Sequence, residues 1–500
     1  MSAHQSDEVM TLVARAERAA SWGNPPPAGV DHLAKRLITT FSRRTGTTLV
    51  PSPRSTEQPF VPESRVTGAA FDRLARIAPT TRDDLPRRAM SLGKSYPDLM
   101  TARSNTLERA TDAVVQPRTT SDVERIIAVC GELDIAVVPV GGGTSVVGGV
   151  EPLGRTSDQP VVSLDLSLMN HCFGIDDVSQ VATFGSGTRG PVLERYLAPS
   201  GLTLGHVPQS FELATLGGWV ATRSAGQASL RFGKIEQLTA ALEVVTPNGM
   251  ITVDHLPAHG AGPDVRELLM GSEGTCGVIT QATMRINRRP THIRFASFAF
   301  ASFAEATIAT RSLVQSGIRP TMVRVSDQAE TAFNVNTGVP RLLRGMLGRQ
   351  LAASLGLGHG SLVFVISTGD EAEARTVDAA VVKHMTRRGA RSVGPMPARS
   401  WYRSRFLQPF ARDTMLDRGL MVDTLETSAT WSSLDRLHAD VTGSIRLALG
   451  ADTSVVGCHL SHLYRDGASC YFSFIAPART GEEIEQWRTA KRAAQDAIAR

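Results

Sequence analysis

From about residue 112 the apolar positions fall into two alternating periods. Val123, Ile126, Ile127, Cys130 and Leu133 recur at helical spacing behind Ser121-Asp122-Val123-Glu124, which has the spacing of a capping box. Ile135–Val140 is a short, wholly apolar, β-rich run, the pattern of a buried strand. Val161–Leu166 and Val181–Phe184 read as further strands, and Leu242–Thr252 as a hairpin turned at Pro247-Asn248-Gly249, where Asn-Gly readily supplies φ > 0. Val265–Met270 reads as a helix, and Gly277–Ile286 alternates as a strand should. Past residue 290 the pattern predicts strands over Ile293–Phe300, Met322–Val325, Leu362–Ile366 and Cys470–Phe474. Helices at Phe303–Gln315, Glu371–Arg388 and Leu434–Leu449 separate them, and a charged helix covers Glu482–Arg500. Strands mixed with helices in this way suit a second, α+β domain built on an antiparallel sheet. Residues 1–105 are Arg-, Pro- and Ser-rich, with breaks at Pro25-Pro26-Pro27 and through Pro51–Pro62. They read as a helical lead-in with irregular connections.

At 500 residues and 42% hydrophobic, the chain can bury a large core and divide into two or more domains. A net charge of +5 is modest for this length, and no dense Lys/Arg block with interleaved aromatics marks a nucleic-acid surface. Five widely spaced cysteines fit reduced thiols; their spacing is neither a metal-ligand pattern nor a disulfide framework. Met1–Arg15 carries acids and lacks a sustained apolar core, and no apolar stretch reaches the roughly 18–20 residues needed to cross a bilayer. The expectation is a cytoplasmic protein without a metal site.

The chemistry gathers in three small-residue turns. Gly141–Gly149 follows an apolar strand, and consecutive glycines let backbone N–H groups form an anion-binding concavity. This run is not the G-x-G-x-x-G fingerprint, and no clean helix follows it, which disfavours a nicotinamide Rossmann site. A second segment holds His206-Val207-Pro208-Gln209-Ser210, Thr215-Leu216-Gly217-Gly218-Trp219 and Thr222-Arg223-Ser224-Ala225-Gly226. Gly271-Ser272-Glu273-Gly274-Thr275-Cys276-Gly277 is the third turn. Any one could be a structural corner, whereas three together suit a large planar cofactor bearing a diphosphate.

Three runs resemble the alkylglycerone-phosphate synthase family of the vanillyl-alcohol-oxidase flavoprotein superfamily. They are Val138-Pro139-Val140-Gly141-Gly142-Gly143-Thr144-Ser145, Gly205-His206-Val207-Pro208 with Thr215–Arg223, and Met270–Thr275. Trp22-Gly23-Asn24, Ser95-Tyr96-Pro97-Asp98-Leu99 and Thr424-Leu425-Glu426-Thr427-Ser428-Ala429-Thr430-Trp431 extend the resemblance to nearly the whole chain. It implies an α+β fold: a two-subdomain FAD-binding PCMH-type module followed by an α+β cap domain with an antiparallel sheet. The implied divisions are a lead-in over 1–108, the FAD domain over 109–288, the cap over 289–475 and a return segment from 476 to 500.

The implied activity is exchange of the acyl chain of acyl-dihydroxyacetone phosphate for a fatty alcohol, an ether-lipid step without net redox change. FAD is implied as a non-covalent cofactor, with Thr144 standing where covalent relatives often carry a flavin-linking histidine. Its implied ligands are Pro139, Gly141, Gly142, Gly143, Thr144, Ser145, Pro208, Gln209, Ser210, Thr215, Gly217, Gly218, Thr222, Ser224, Ala225, Gly226, Glu273, Gly274, Thr275, Val278 and Ile279. Arg324 and Arg412 match family arginines suited to a substrate phosphate, since a guanidinium can grip it with a rigid fork. Tyr471 and His206 match the family's active-site tyrosine and its histidine beside the flavin, and are the implied catalytic groups. The implied partners are lipid substrates, with a homodimer as one assembly; the apolar, Arg-bearing run Leu342–Gly358 reads either as a peripheral membrane contact, as its position in the family implies, or as an ordinary core helix.

The resemblance has departures. Gln209 replaces an acidic residue, the segment after Val323 matches poorly, and the sequence stops at Arg500 before the family's three consecutive histidines. Loss of those acid–base groups implies a truncated return segment and impaired synthase chemistry. The same FAD module also hosts oxidation of 2-hydroxy acids or alcohols, so an FAD-linked oxidoreductase and a non-catalytic flavin-binding remnant are the alternatives.

Overall fold

Thr119, Asp122 and Arg118 show how local chemistry starts the first clear helix, Thr120–Glu132. The Thr119 hydroxyl accepts from the Asp122 amide, and the Asp122 carboxylate accepts from the amides of Arg118 and Thr119. The capping box therefore lies two residues before the expected Ser121–Glu124, because Asp122, not Glu124, reaches back to the orphan amides. Val123, Ile126 and Cys130 are buried on the inner face, while Leu133 is exposed at 37%.

The computed structural model describes residues 26–52, 54–55, 60–258, 260–338 and 360–500. Trp22-Gly23-Asn24 and Leu342–Gly358 lie outside the described residues. The chain forms two units. The first comprises Arg54–Gly226 and Phe232–Arg289; the second comprises residues 26–52, Gln227–Arg231 and Pro290–Arg500.

In the first unit, β1 (Thr80–Thr81), β2 (Ala113–Val115), β3 (Ala136–Val140) and β4 (Val161–Asp165) form a sheet of order β1-β2-β4-β3. Both β2 and β3 run parallel to β4. The centre of this sheet is β4, whose five residues are all buried. By contrast β3, expected to be buried, is an edge strand with four of its five residues only half-buried. An edge position tolerates Pro139, which has no N–H to donate.

Seven further strands follow: β5 (Cys172–Asp176), β6 (Val181–Gly185), β7 (Leu202–Thr203), β8 (Thr239–Thr246), β9 (Gly249–Val253), β10 (Val278–Arg285) and β11 (Asn287–Arg288). The second sheet is antiparallel with order β5-β6-β10-β8-β9, and β7 pairs β11. The hairpin β8–β9 turns through Pro247-Asn248, and Gly249 rather than Asn248 takes the positive φ, at 113°. Two cores result. One packs Val123, Ile126 and Cys130 on Ala113, Val162 and Leu164; the other packs Phe184, Leu216, Trp219 and Val220 on Leu242, Ile279 and Met284.

The second unit holds β12 (His292–Phe300), β13 (Met322–Ser326), β14 (Ser361–Gly369), β15 (Arg391–Ser392), β16 (Leu420–Thr430), β17 (Val455–Leu463) and β18 (Gly467–Pro477). They form one antiparallel sheet of order β15-β12-β14-β13-β17-β18-β16. The helices Phe303–Gln315, Glu371–Arg387, Leu434–Leu449 and Glu483–Ala499 match the hydrophobic pattern to within a residue. The helix Val30–Thr45, read in sequence as lead-in, places Phe41 in the core with Phe333, Met415, Leu420 and Ile475. Strands β16 and β17 were not evident in the pattern, because polar residues interrupt both. Among the described residues no helix is long and apolar enough to cross a membrane.

Candidate active site

Two glycines bring the first two expected loops into backbone contact. A Cβ on Gly142 would sit 2.2 Å from the Leu213 carbonyl oxygen and 2.7 Å from Ala214 Cα; one on Gly141 would sit 2.3 Å from Thr215 Oγ1. The third turn closes on the same strand end, since a Cβ on Gly274 would lie 2.8 Å from Pro139 Cγ. The amides of Gly271 and Glu273 also donate to the carbonyls of Val220 and Ala221, at 3.1 and 3.0 Å. All three turns therefore converge. Gly143 takes φ +65° with nothing within 4 Å of its Cβ position, so the loop opens outward there. Ser145 Oγ accepts from the Gly149 amide at 2.9 Å, which curls Gly141–Gly149 back on itself. Behind it, the Lys94 amide donates to the Ser145 carbonyl at 2.6 Å, next to the capping box of Ser95 and Asp98.

The second loop is fixed from beneath. Thr215 caps the short helix Leu216–Ala221 through the Gly218 amide, and the amides of Leu216 and Gly217 donate to the carbonyls of Thr188 and Ser186. Among the described residues, the buried hydroxyls of Ser186 and Thr188 have no hydrogen-bond partner. Thr222 Oγ1 donates to the Gly218 carbonyl, and the Ser224 amide to the Trp219 carbonyl. The carbonyls of Pro208 and Ser210 close the turn that leads into Thr215. Thr144 and Gln209 are half-buried, Thr275 caps its own turn on the Ser272 carbonyl, and Ala225 leads into Gly226. Backbone contact between glycine turns, an outward-opening Gly143 and unpartnered buried hydroxyls together fit a bound diphosphate and its attached rings.

Three expected residues take other places. Val278 and Ile279 pair with Val245 and Val244 on β8, and their side chains are buried in the core. His206 is 1% exposed, with Nε2 at 3.1 Å from Ser224 Oγ and its ring edge-on to Trp219 at 4.9 Å. A Cβ on Gly226 would lie 3.0 Å from His206 Nδ1. The imidazole thus braces the Ser224–Gly226 turn.

In the second unit, sheet register brings polar residues together from distant positions. His459 on β17 lies opposite Tyr471 on β18, with rings stacked at 4.9 Å, and Tyr471 lies opposite Glu426 on β16. Arg324 on β13 donates through Nη2 to Glu330 Oε1 at 2.5 Å and through Nη1 to His459 Nε2 at 3.0 Å. Because His459 Nε2 accepts, its proton sits on Nδ1, which is 3.2 Å from Glu330 Oε1. Burial opposes charge on Glu330, but Arg324 and then His459 outweigh it and hold the carboxyl well below the ordinary carboxylate range. Burial and the Arg324 charge lower the His459 pKa. The cluster is a buried, neutralised pair with a neutral imidazole.

Tyr471 donates to Thr424 Oγ1 at 3.1 Å, and burial pushes its phenol pKa up, so it holds its proton near neutrality. Arg412 Nη1 is 3.8 Å from Asp423 Oδ1, the neighbour of Thr424 on β16. The sequence alone missed Glu330, His459, Asp423 and Lys491. For Asp423 on β16 and His459 on β17 the available signal was a polar residue interrupting an apolar strand, whereas Glu330 and Lys491 lie on helices and carried no such signal.

A FAD-dependent enzyme is the class that this cradle and sheet define. Residues 111–254 match the FAD binding domain family, and residues 289–499 match the C-terminal domain of FAD linked oxidases. The chain is 31% identical to alkyldihydroxyacetonephosphate synthase of Dictyostelium discoideum over 427 residues, covering 83% of this chain and 69% of that protein. It is 30% identical to the synthase of Trypanosoma brucei brucei, covering 89% and 73% respectively. A solved alkyldihydroxyacetonephosphate synthase superposes with a TM-score of 0.83 at 28% identity, covering 93% of this chain and 86% of that one. The chain belongs to the alkyldihydroxyacetonephosphate synthase family.

Proposed function

We propose that this protein binds FAD non-covalently and exchanges the acyl chain of an acyl-dihydroxyacetone phosphate for a fatty alcohol, releasing the fatty acid. The observation that carries this reading is similarity to synthases across both the flavin module and the cap, together with convergence of the three glycine turns. FAD supplies the reactive centre when bound; Gly141–Ser145, Thr215–Gly218 and Glu273–Thr275 hold its diphosphate and orient its rings. Tyr471, protonated near neutrality, serves as a hydrogen-bond donor and proton source rather than as a base. Arg412 grips the substrate phosphate. Arg324, already matched by Glu330, instead fixes His459 and through it the Tyr471 ring. The lipid substrates would reach the enzyme through peripheral membrane contact at Leu342–Gly358.

The test is incubation of purified, flavin-loaded protein with acyl-dihydroxyacetone phosphate and a radiolabelled fatty alcohol. Label should appear in an alkali-stable ether product. Bleaching of the oxidised flavin spectrum by a 2-hydroxy acid, with no ether formed, would replace this reading with that of an oxidoreductase.

A further inference from the structure

The proposed exchange leaves one proton without a taker. A fatty alcohol must lose its hydroxyl proton as its oxygen forms the ether bond, and a positioned base makes that loss feasible. Tyr471 holds its own proton, His206 braces a glycine turn, and both ring nitrogens of His459 are engaged by Arg324 and Glu330. Another histidine is placed differently. The pairing of β17 with β18 slips between Ser461 and Leu463, and the residue squeezed out, His462, takes φ +48°. A side chain rarely adopts this left-handed conformation, and a bulge of this kind re-aims the residue it carries. Here it brings the imidazole to two partners. Nδ1 is 2.9 Å from Ser229 Oγ, and Nε2 is 3.8 Å from Glu426 Oε1. Ser229 lies on Gln227–Arg231, the short segment that the second unit draws from between two stretches of the first. Glu426 lies opposite Tyr471 in the register of β16 and β18, and its Oε1 also accepts from the Ser469 hydroxyl. The carboxylate favours the imidazole tautomer protonated at Nε2, so Nδ1 accepts the Ser229 hydroxyl proton. A hydroxyl bound to a histidine that a carboxylate backs is an arrangement that moves a proton off oxygen. The Ser229–His462 contact is part-buried and Glu426 is exposed, so the group is not sealed in the core.

We propose that His462 is the base of the exchange and that Ser229 is the hydroxyl through which it acts. The fatty alcohol gives its proton to Ser229 Oγ while Ser229 passes its own to His462 Nδ1, and Glu426 stabilises the imidazolium. The alcohol oxygen bonds to the carbon that carried the acyl ester, and the bond from that carbon to the ester oxygen breaks. The acyl chain leaves as a carboxylate and takes the proton back from the imidazolium, so the fatty acid is released with no net proton or electron gained. Glu426 thereby neighbours both the proton source, Tyr471, and the base. This inference rests on the synthase reading and adds to it residues that the flavin loops and Tyr471 do not use.

The experiment measures steady-state ether formation by the full-length FAD-loaded protein with hexadecanol and with its analogue bearing two fluorines beside the hydroxyl carbon. The fluorinated hydroxyl is more acidic and needs less help from a base. His462→Gln should lower kcat with hexadecanol about a hundredfold or more, with flavin content and the KM for the alcohol within about twofold of wild type. With the fluorinated alcohol the ratio of wild-type to variant kcat should shrink several-fold, a dependence that a merely structural loss would not show. Ser229→Ala should behave like His462→Gln, whereas Ser229→Thr, which keeps a hydroxyl, should retain most of the wild-type rate. A His462→Gln protein within about threefold of wild type, or one equally impaired with both alcohols, overturns the base and leaves the synthase reading intact. Should His462→Gln not fold, a fully active Ser229→Ala protein, or a Ser229→Thr protein as impaired as Ser229→Ala, overturns it. A wild-type protein that forms no ether overturns both.

Discussion

Glu330→Gln is the substitution that most directly tests the buried cluster. Arg324 and Glu330 are 12% and 11% exposed, and Glu330 Oε1 serves both the guanidinium and His459. Gln keeps the size of the side chain but removes the charge, leaving Arg324 buried without its anion. Breaking a buried pair by removing one partner costs about 3–5 kcal/mol. Each kcal/mol shifts the Tm of a 150–250-residue unit by about 2–4 °C, so the unfolding of the second unit should fall by roughly 6–20 °C. Trp401 lies 5.6 Å from the Arg324 guanidinium, so its fluorescence reports on this region.

Acid should act on the wild type in two stages. His459 has a depressed folded pKa, so the unfolded chain binds the extra proton and stability declines as the pH falls below the usual histidine value of about 6.5. Glu330 also has a depressed folded pKa, so its contribution is complete above the usual carboxylate value of about 4.3 and is lost as the pH falls below it. Glu330→Gln should lose the lower stage and keep the upper one. The double variant Arg324→Met/Glu330→Met should be more stable than Glu330→Gln, because it leaves no uncompensated charge. Thermal unfolding of the second unit followed by tryptophan fluorescence from about pH 2 to 8 checks all of this. A Glu330→Gln protein destabilised by less than about 1 kcal/mol, or a double variant less stable still, would refute the account.

Gly142→Ala should lower the bound flavin per chain several-fold in the visible absorption of purified protein, because its Cβ would meet backbone atoms at 2.2–2.9 Å and force the first two loops apart. Full flavin content in that variant would mean that the contact between these loops is dispensable. Thr119→Ala should cost about 1 kcal/mol in urea unfolding of the first unit, and Ser121→Ala much less, since Thr119 is the residue that caps the helix. Equal losses would place the cap wrongly. Tyr471→Phe keeps the stacked ring but removes the phenolic hydroxyl, so ether formation should drop at least tenfold with flavin content unchanged. Retention of wild-type turnover would remove Tyr471 from the proton-donating role.

Much of this protein was settled by its local sequence. Periodicity located the helices Phe303–Gln315 and Leu434–Leu449 and the hairpin β8–β9, because an amphipathic period or a Pro-Asn-Gly turn acts over a few residues. The glycine turns were legible for the same reason: consecutive small residues have few other uses. Tertiary structure decided the rest. Local sequence cannot say which side of β4 is an edge, so β3 looked buried and is not. Nor can it show that Arg324 is neutralised by Glu330, that His459 faces Tyr471 across two strands, or that Lys491 returns to Asp423 from 68 residues away. These are consequences of strand register and helix docking, which a one-residue slip would undo, and a charge cannot be known as free or matched until its neighbours are in place.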